Sequence, residues 1–250
     1  MTSTVDRTAT RTRRRRRPVM TLLGILLVSA GLVVGLYGAY LLYFSDLAAE
    51  SERAGIAAEW RSGIEDNGAP AGHDAGAPAG HDDGIGTKRR EDFPVVEGEG
   101  TLGILHVPRW GADYQVPIGA GDGPDVLDSG QVGHYTRTQP IGALGNAGLA
   151  GHRTSHGKPL REVHQLQVGD AIVVESADAW LVYRMVAHDI VKPHQSEVLN
   201  PIPPFEGATP GRYLTLTTCD PIYGITERFI VWAEADYWTP KSEGLPPDLG

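Results

Sequence analysis

Residues 19–44, VMTLLGILLVSAGLVVGLYGAYLLYF, run for 26 positions without a charge. About 20 apolar residues suffice to cross the hydrocarbon core of a bilayer as a helix. A cleaved signal peptide has an apolar stretch of only ~7–15 residues before a small-residue cleavage site. Ala48 and Ala49 offer such small residues, but the length of the run favours an uncleaved anchor. Five consecutive arginines, Arg13 to Arg17, precede it. Positive residues stay on the cytoplasmic side, which places the N-terminus inside and everything after Phe44 outside the cell. Tyr37, Tyr40 and Tyr43 suit the outer headgroup zone, where amphipathic rings collect.

Charge follows the same division. The first eighteen residues hold seven arginines against one acid, Asp6, so about +6 of the total of −9 lies there and about −15 is left for the rest. Alone, an arginine run reads as a nuclear-targeting or nucleic-acid patch. In front of a membrane span it reads as a topology signal, and no nucleic-acid partner is expected. The chain is expected to be a single-pass membrane protein with an acidic domain outside the cytoplasm.

Residues 45–66 are polar with some helical spacing and extend the span outward as a short stalk. Residues 68–83 then repeat one eight-residue unit, GAPAGHDA followed by GAPAGHDD. Such Gly/Ala/Pro sequence cannot bury enough surface to offset the entropy of ordering, and reads as a tether. Its pairs His73-Asp74 and His81-Asp82 lack the further ligands that would define a metal site. The expected organisation is therefore a basic tail (1–18), an anchor (19–44), stalk and linker (45–94), a folded domain (95–240) and a C-terminal tail (241–250).

Within the folded region the pattern is that of strands. TLGILHV (101–107), YQVPIG (114–119), NAGLAGH (146–152), DAIVVES (170–176), WLVYRMVAHDI (180–190), RYLTLTTC (212–219) and RFIVWAEADYW (228–238) are short, rich in Val, Ile, Tyr and Trp, and separated by Gly/Pro/Asp turns. In the fifth, Leu181, Tyr183 and Met185 fall on one face, with Val182, Arg184, Val186 and His188 on the other. Only short helical pieces intervene (PDVLDSG, KPLREVHQL, HQSEVLN), so a mainly β domain, a closed barrel or sandwich, is expected.

Cys219 is the only cysteine, in a domain placed where cysteines usually pair into disulfides. Alternation along RYLTLTTC puts Leu214, Leu216 and Thr218 on one face and Thr215, Thr217 and Cys219 on the other, so the leucines anchor the strand and the thiol sits at its polar end. Asp220-Pro221 breaks the ladder, and a hairpin-like return brings Arg228 beside Cys219. A strand-end thiol next to a guanidinium suits acyl transfer, with the cation available to a developing oxyanion. A buried inert cysteine and a surface arginine fit the same local pattern.

A thiol nucleophile needs an acid/base partner, usually histidine. Of nine histidines, His152 in NAGLAGHRTSHGKP stands out: it ends a small-residue strand and opens a polar turn, where an imidazole reaches a cleft. His156 lies four residues on, but HRTSH lacks the glutamate of HExxH and a third ligand, and no metal or cofactor is expected.

AGHRT around His152, TLTTC ending in Cys219 and an arginine nine residues later at Arg228 resemble the signature of the sortases, membrane-anchored cysteine transpeptidases of Gram-positive bacteria. The resemblance covers roughly residues 98–236. VGHYTRTQPIGALGNAGLAGHRTSHGKPL is most similar to class E sortases of actinobacteria, which carry a His-Tyr pair, a Gly-Asn step and then Ala-Gly-His-Arg-Thr. CDP stands where class E members often have CHP, and IYGITE is a less typical loop.

The resemblance implies an eight-stranded β-barrel of sortase type with short helices, after one transmembrane helix and a flexible linker. It implies cleavage of a Leu-Pro-x-Thr-Gly or Leu-Ala-x-Thr-Gly sorting signal between Thr and Gly. By analogy Cys219 attacks the threonine carbonyl, His152 protonates the departing amine, and Arg228 stabilises the oxyanion or positions the peptide. The acceptor would be an amine of a peptidoglycan precursor or of a pilin lysine, and the imidazole serves as acid in one half-reaction and base in the other. The partners implied are surface proteins bearing a C-terminal sorting signal. Tyr135 and Thr218 are the candidate substrate contacts, and the connection 192–211 corresponds to the loop that lines the signal pocket.

Other wall enzymes fit less well. An L,D-transpeptidase-like domain places cysteine directly after Ser-His-Gly, whereas Lys158 follows here, and papain-like wall hydrolases put the cysteine before the histidine. The rival outside enzymes is a tethered wall-binding module that keeps the barrel without turnover. Pilin polymerisation is a further alternative, but the Gly/Ala/Pro repeat lacks the aromatic anchor of a pilin-sortase lid.

Overall fold

In a computed structural model, residues 16–66 and 88–250 are described. The chain divides into two units, Met1–Phe44 and Ser45–Gly250. A single helix, α1, runs Arg16–Asp66. In the first unit its segment Val19–Gly38 has a mean hydropathy of 2.5 and is long and apolar enough to cross a membrane. Its large apolar side chains, such as Leu26 and Val28, are exposed, as expected of a surface suited to lipid. The basic tail up to residue 15 and the Gly/Ala/Pro repeat lie outside the described residues.

The second unit is built on a closed barrel of eight strands: β1 Thr101–His106, β2 Gln115–Ala120, β3 Val132–His134, β4 Gly145–Ala150, β5 Ala171–Glu175, β6 Ala179–Val191, β7 Arg212–Asp220 and β8 Glu227–Pro240. The order around the barrel is β1-β2-β3-β4-β7-β8-β6-β5, with β5 closing on β1. The pairs β2/β3 and β4/β7 are parallel and the rest antiparallel. Seven strands coincide with the seven predicted segments. The eighth, β3, was not predicted, because three residues (VGH) are too few to show alternation.

The inward faces make one core. Leu214 and Leu216 of β7 and Leu181, Tyr183 and Met185 of β6 are in it, together with Leu105, Ile118, Leu149 and Val231. The outward faces of β6 and β8 are covered by the 192–211 connection, where Val198, Leu199 and Phe205 pack with Ile230 and Trp232.

Three boundaries differ from those expected. Residues of α1 beyond Phe44 are not a free stalk but pack on the barrel: Ala49 and Ala57 are buried, and Arg53 and Arg61 bond the Gly157 carbonyl and Glu175. These four residues recur every fourth position and so share one helix face. Ordered backbone also begins before Val95, since Arg89 bridges to Trp238 and Phe93 is buried. Finally, the expected tail is tied down, with Asp248 accepting from Arg184 and from the Tyr237 hydroxyl.

Candidate active site

The register of β7 and β8 sets Cys219 directly opposite Arg228. The neighbouring parallel pair β4/β7 runs up to Ala150 opposite Thr217, and Gly151 N–H continues the ladder to the Thr217 carbonyl at 3.1 Å. His152 is thus the first residue to leave β4, at the same barrel end where Cys219 closes β7. The thiol is partly exposed. Strand register brings the three sequence candidates, separated by up to 76 positions, to the same end of the barrel.

Arg153 reinforces this junction. Buried to 6% exposure, it donates to the Cys219 carbonyl at 3.1 Å and is ion-paired with Asp220. Its guanidinium also lies over the Phe229 ring, 5.4 Å from the centroid. The Asp220-Pro221 peptide is cis. Sequence reasoning passed over Arg153 because buried arginines are rare and the partner is 67 residues away.

His152 Nε2 lies 2.9 Å from Asp128 Oδ1, and its ring stacks on His156 with centroids 4.8 Å apart. Asp128 caps the short helix α2, Pro124–Leu127, and was not singled out in the sequence, where nothing distinguishes it from other turn aspartates. Asp128, His152 and His156 each offer one ligand atom, all within 4.8 Å of one another. Arg228 donates to the carbonyls of Ile225 and Glu227 at 3.0 and 2.8 Å, which holds the guanidinium at the β7–β8 turn.

The outer face of β4 and β7, leading away from Cys219, lies beneath the 192–211 connection. Thr215 donates to Asn146 Oδ1 at 2.6 Å, and Asn146 Nδ2 in turn donates to the carbonyls of Val198 and Asn200. Trp232 Nε1 also donates to Val198 O, so Asn146 and Trp232 together pin the 192–211 connection over the sheet. The Tyr135 hydroxyl lies 2.8 Å from Thr217 Oγ1. Burial pushes the Tyr135 phenol up, against the Thr217 hydrogen bond and the charges of Arg228 and Arg137. Gly148 makes room for this packing: a Cβ there would come within 2.7 Å of Leu199 and 2.8 Å of Tyr135.

Thr218, the other expected substrate contact, lies on the inner face of β7. It is 3% exposed and donates to the Gly151 carbonyl at 2.7 Å, so it faces the barrel and holds the backbone next to His152. The period-two alternation explains this: Thr217, not Thr218, shares the outer face with Cys219.

The comparisons with known proteins bear on the same barrel. The sortase-domain family profile matches residues 105–236, more than half of the chain. The chain belongs to the sortase family of cysteine transpeptidases.

Among curated sortases, SrtE1 of Streptomyces coelicolor is 33% identical over 235 residues, covering 91% of this chain and 60% of its own length. The chain thus spans under two thirds of that relative. Among solved structures, the SrtA sortase from Actinomyces oris is 43% identical with a TM-score of 0.61, covering 65% of this chain and 96% of the other. Sortase E1 from Streptomyces coelicolor with a tripeptide in the active site is 41% identical with a TM-score of 0.57, covering 63% of this chain and 100% of the other. This sortase is a class E homologue, as the segment VGHYTRTQPIGALGNAGLAGHRTSHGKPL implied.

Proposed function

We propose that this sortase cleaves a Leu-Pro/Ala-x-Thr-Gly type signal between Thr and Gly and transfers the upstream protein to a cell-wall amine. The observation that carries the reading is the register pairing of Cys219 with Arg228 at the strand end from which His152 emerges on the adjacent strand. In the proposed reaction the Cys219 sulfur attacks the threonine carbonyl, and the oxyanion forms beside the Arg228 guanidinium. His152 gives its proton to the departing glycine amine, which leaves a thioacyl enzyme. The acceptor amine then attacks this thioester, His152 takes the amine's proton, and Cys219 leaves as the thiolate, which restores the starting imidazolium and thiolate.

The groove over Tyr135, Thr217 and Leu199 would take the signal upstream of threonine. The related sortase E1 structure contains a tripeptide in its active site, which supports peptide binding at the matching face. The apolar segment Val19–Gly38 supports a membrane anchor, with Arg13 to Arg17 cytoplasmic and the barrel outside. In that setting the substrates are surface proteins with a C-terminal sorting signal, and the acceptor a peptidoglycan precursor.

The test is to incubate the full chain in detergent micelles with Leu-Ala-x-Thr-Gly and Leu-Pro-x-Thr-Gly peptides and an amine acceptor, following products by mass spectrometry. Cleavage between Thr and Gly, absent in Cys219→Ala, is the expected result, and the better peptide identifies the signal. Folded, reduced protein that forms neither product nor thioacyl adduct would sink the proposal.

A further inference from the structure

We propose that Asp128, His152 and His156 form a binding site for a zinc-type transition-metal ion, and that its occupancy reversibly switches off transfer by withdrawing His152 from proton transfer. The binding half stands on the geometry alone; the inhibitory half rests on the catalytic role proposed for His152.

In sequence, HRTSH presents two imidazoles and no third ligand. The fold supplies one from 24 residues upstream, since the turn ending α2 sets the Asp128 carboxylate against both rings. Asp128 Oδ1 is 2.9 Å from His152 Nε2 and 3.7 Å from His156 Nδ1. A tetrahedral zinc ion with bonds of ~2.0–2.1 Å spaces its ligand atoms about 3.3 Å apart. These two separations straddle that value and all three ligand atoms lie within 4.8 Å of one another, so rotations of the side chains that draw the two imidazoles together admit the ion. The metal would take the place of the His152–Asp128 hydrogen bond.

A second observation points to a ligand. His156 Nδ1 is buried and has no hydrogen-bond partner. A buried, unpaired ring nitrogen carries a desolvation penalty, which a coordinated ion would remove. The backbone delivers it there: His156, Gly157 and Lys158 all have positive φ, and the turn is closed by Leu160 N–H on the His152 carbonyl at 3.0 Å. The side chains of Asp128, His152 and His156 are 48%, 29% and 37% exposed, so an ion can enter from solvent and complete its shell with water. The donor set selects the metal. Two imidazoles and a carboxylate suit Zn²⁺ and its neighbours, whereas Ca²⁺ and Mg²⁺ prefer oxygen ligands throughout.

The test is calorimetric titration of the tag-free full chain in detergent micelles with Zn²⁺, in a background carrying His73→Ala and His81→Ala so that the linker histidines do not contribute. We expect one ion per chain, released by EDTA, with no heat from Ca²⁺. Asp128→Asn and His156→Ala should each weaken binding more than about tenfold, and Cys219→Ala should leave it unchanged. His156→Gln, checked for folding by circular dichroism, repeats the test should the alanine variant unfold. Peptide transfer should fall with the same Zn²⁺ midpoint and become zinc-resistant in His156→Ala. Absent binding, or binding lost in Cys219→Ala and intact in His156→Ala, would overturn the site. Binding at the site with transfer unaffected would overturn the switch. Metal-free protein that cleaves no peptide would count against the catalytic reading, while calorimetry still decides the site.

Discussion

Arg153, the residue after His152, is ion-paired with Asp220, the residue after Cys219. Neighbours in sequence of the two proposed reacting side chains are therefore tied to each other across the β4/β7 junction. This gives a physical role to the Cys-Asp-Pro sequence that departs from the usual Cys-His-Pro of class E. The pair is largely desolvated, with side-chain exposures of 6% and 14%. Removing one member of a buried ion pair typically costs about 3–5 kcal/mol, because the other charge is left without a partner. Asp220→Ala and Arg153→Met should each lower the melting temperature by several degrees and depress peptide transfer, while the double variant recovers much of the lost stability. Thermal denaturation of the four proteins in a double-mutant cycle checks this.

Gly148 lies between Tyr135 and Leu199, where an added Cβ would approach both below ordinary contact distance. Gly148→Ala should displace the 192–211 connection or the Tyr135 ring from the groove. The expected outcome is a fall in kcat/KM for the signal peptide of about tenfold or more, equivalent to ~1.4 kcal/mol. Unchanged steady-state kinetics in a folded variant would show that this groove does not take the peptide.

Tyr135→Phe removes the hydroxyl that meets Thr217 at 2.8 Å. A typical hydrogen bond contributes ~1 kcal/mol net, so the barrel should remain folded with a modest loss of stability. Because Thr217 sits two residues before Cys219 on the same face, the change should appear in KM for the peptide more than in the rate of thiol alkylation. Comparing peptide kinetics with iodoacetamide labelling of Cys219 separates the two.

Glu175 holds the buried face of the barrel to the segment of α1 beyond Phe44. Its carboxylate accepts from His106, Arg61 and Lys241, and although burial pushes its pKa up, these three partners hold it down at about 2. The folded-state pKa lies below the ordinary value of 4.5, so its stabilisation is complete above about pH 5 and is lost as pH falls toward 2. The shift corresponds to roughly 3 kcal/mol. Glu175→Gln should lose a comparable amount at neutral pH, since it leaves Lys241, 4% exposed, without its counter-charge. Melting curves between pH 7 and 3 should show a shallower acid decline for the variant than for the wild type.

Period-two alternation located seven of the eight strands, and it also assigned Thr217 and Cys219 to one face and the leucines of β7 to the core. The same rule sets Thr218 on the leucine face, and there it is buried. The docked face of α1 was hidden for a different reason. Ala49, Arg53, Ala57 and Arg61 recur at helical spacing, but small and charged residues leave no apolar stripe for periodicity to detect.

The chain's linear order was enough to determine the apolar span, the mainly β character and the family-like segments around His152, Cys219 and Arg228, because each depends on residues close together in sequence. Tertiary structure alone decided which residues meet. The Arg153–Asp220 pair, the Asp128 carboxylate against two imidazoles and the Glu175 charge cluster join positions 24 to 114 residues apart. Such contacts are set by strand register and barrel closure. Those depend on how the whole core packs, and a local pattern does not carry that information.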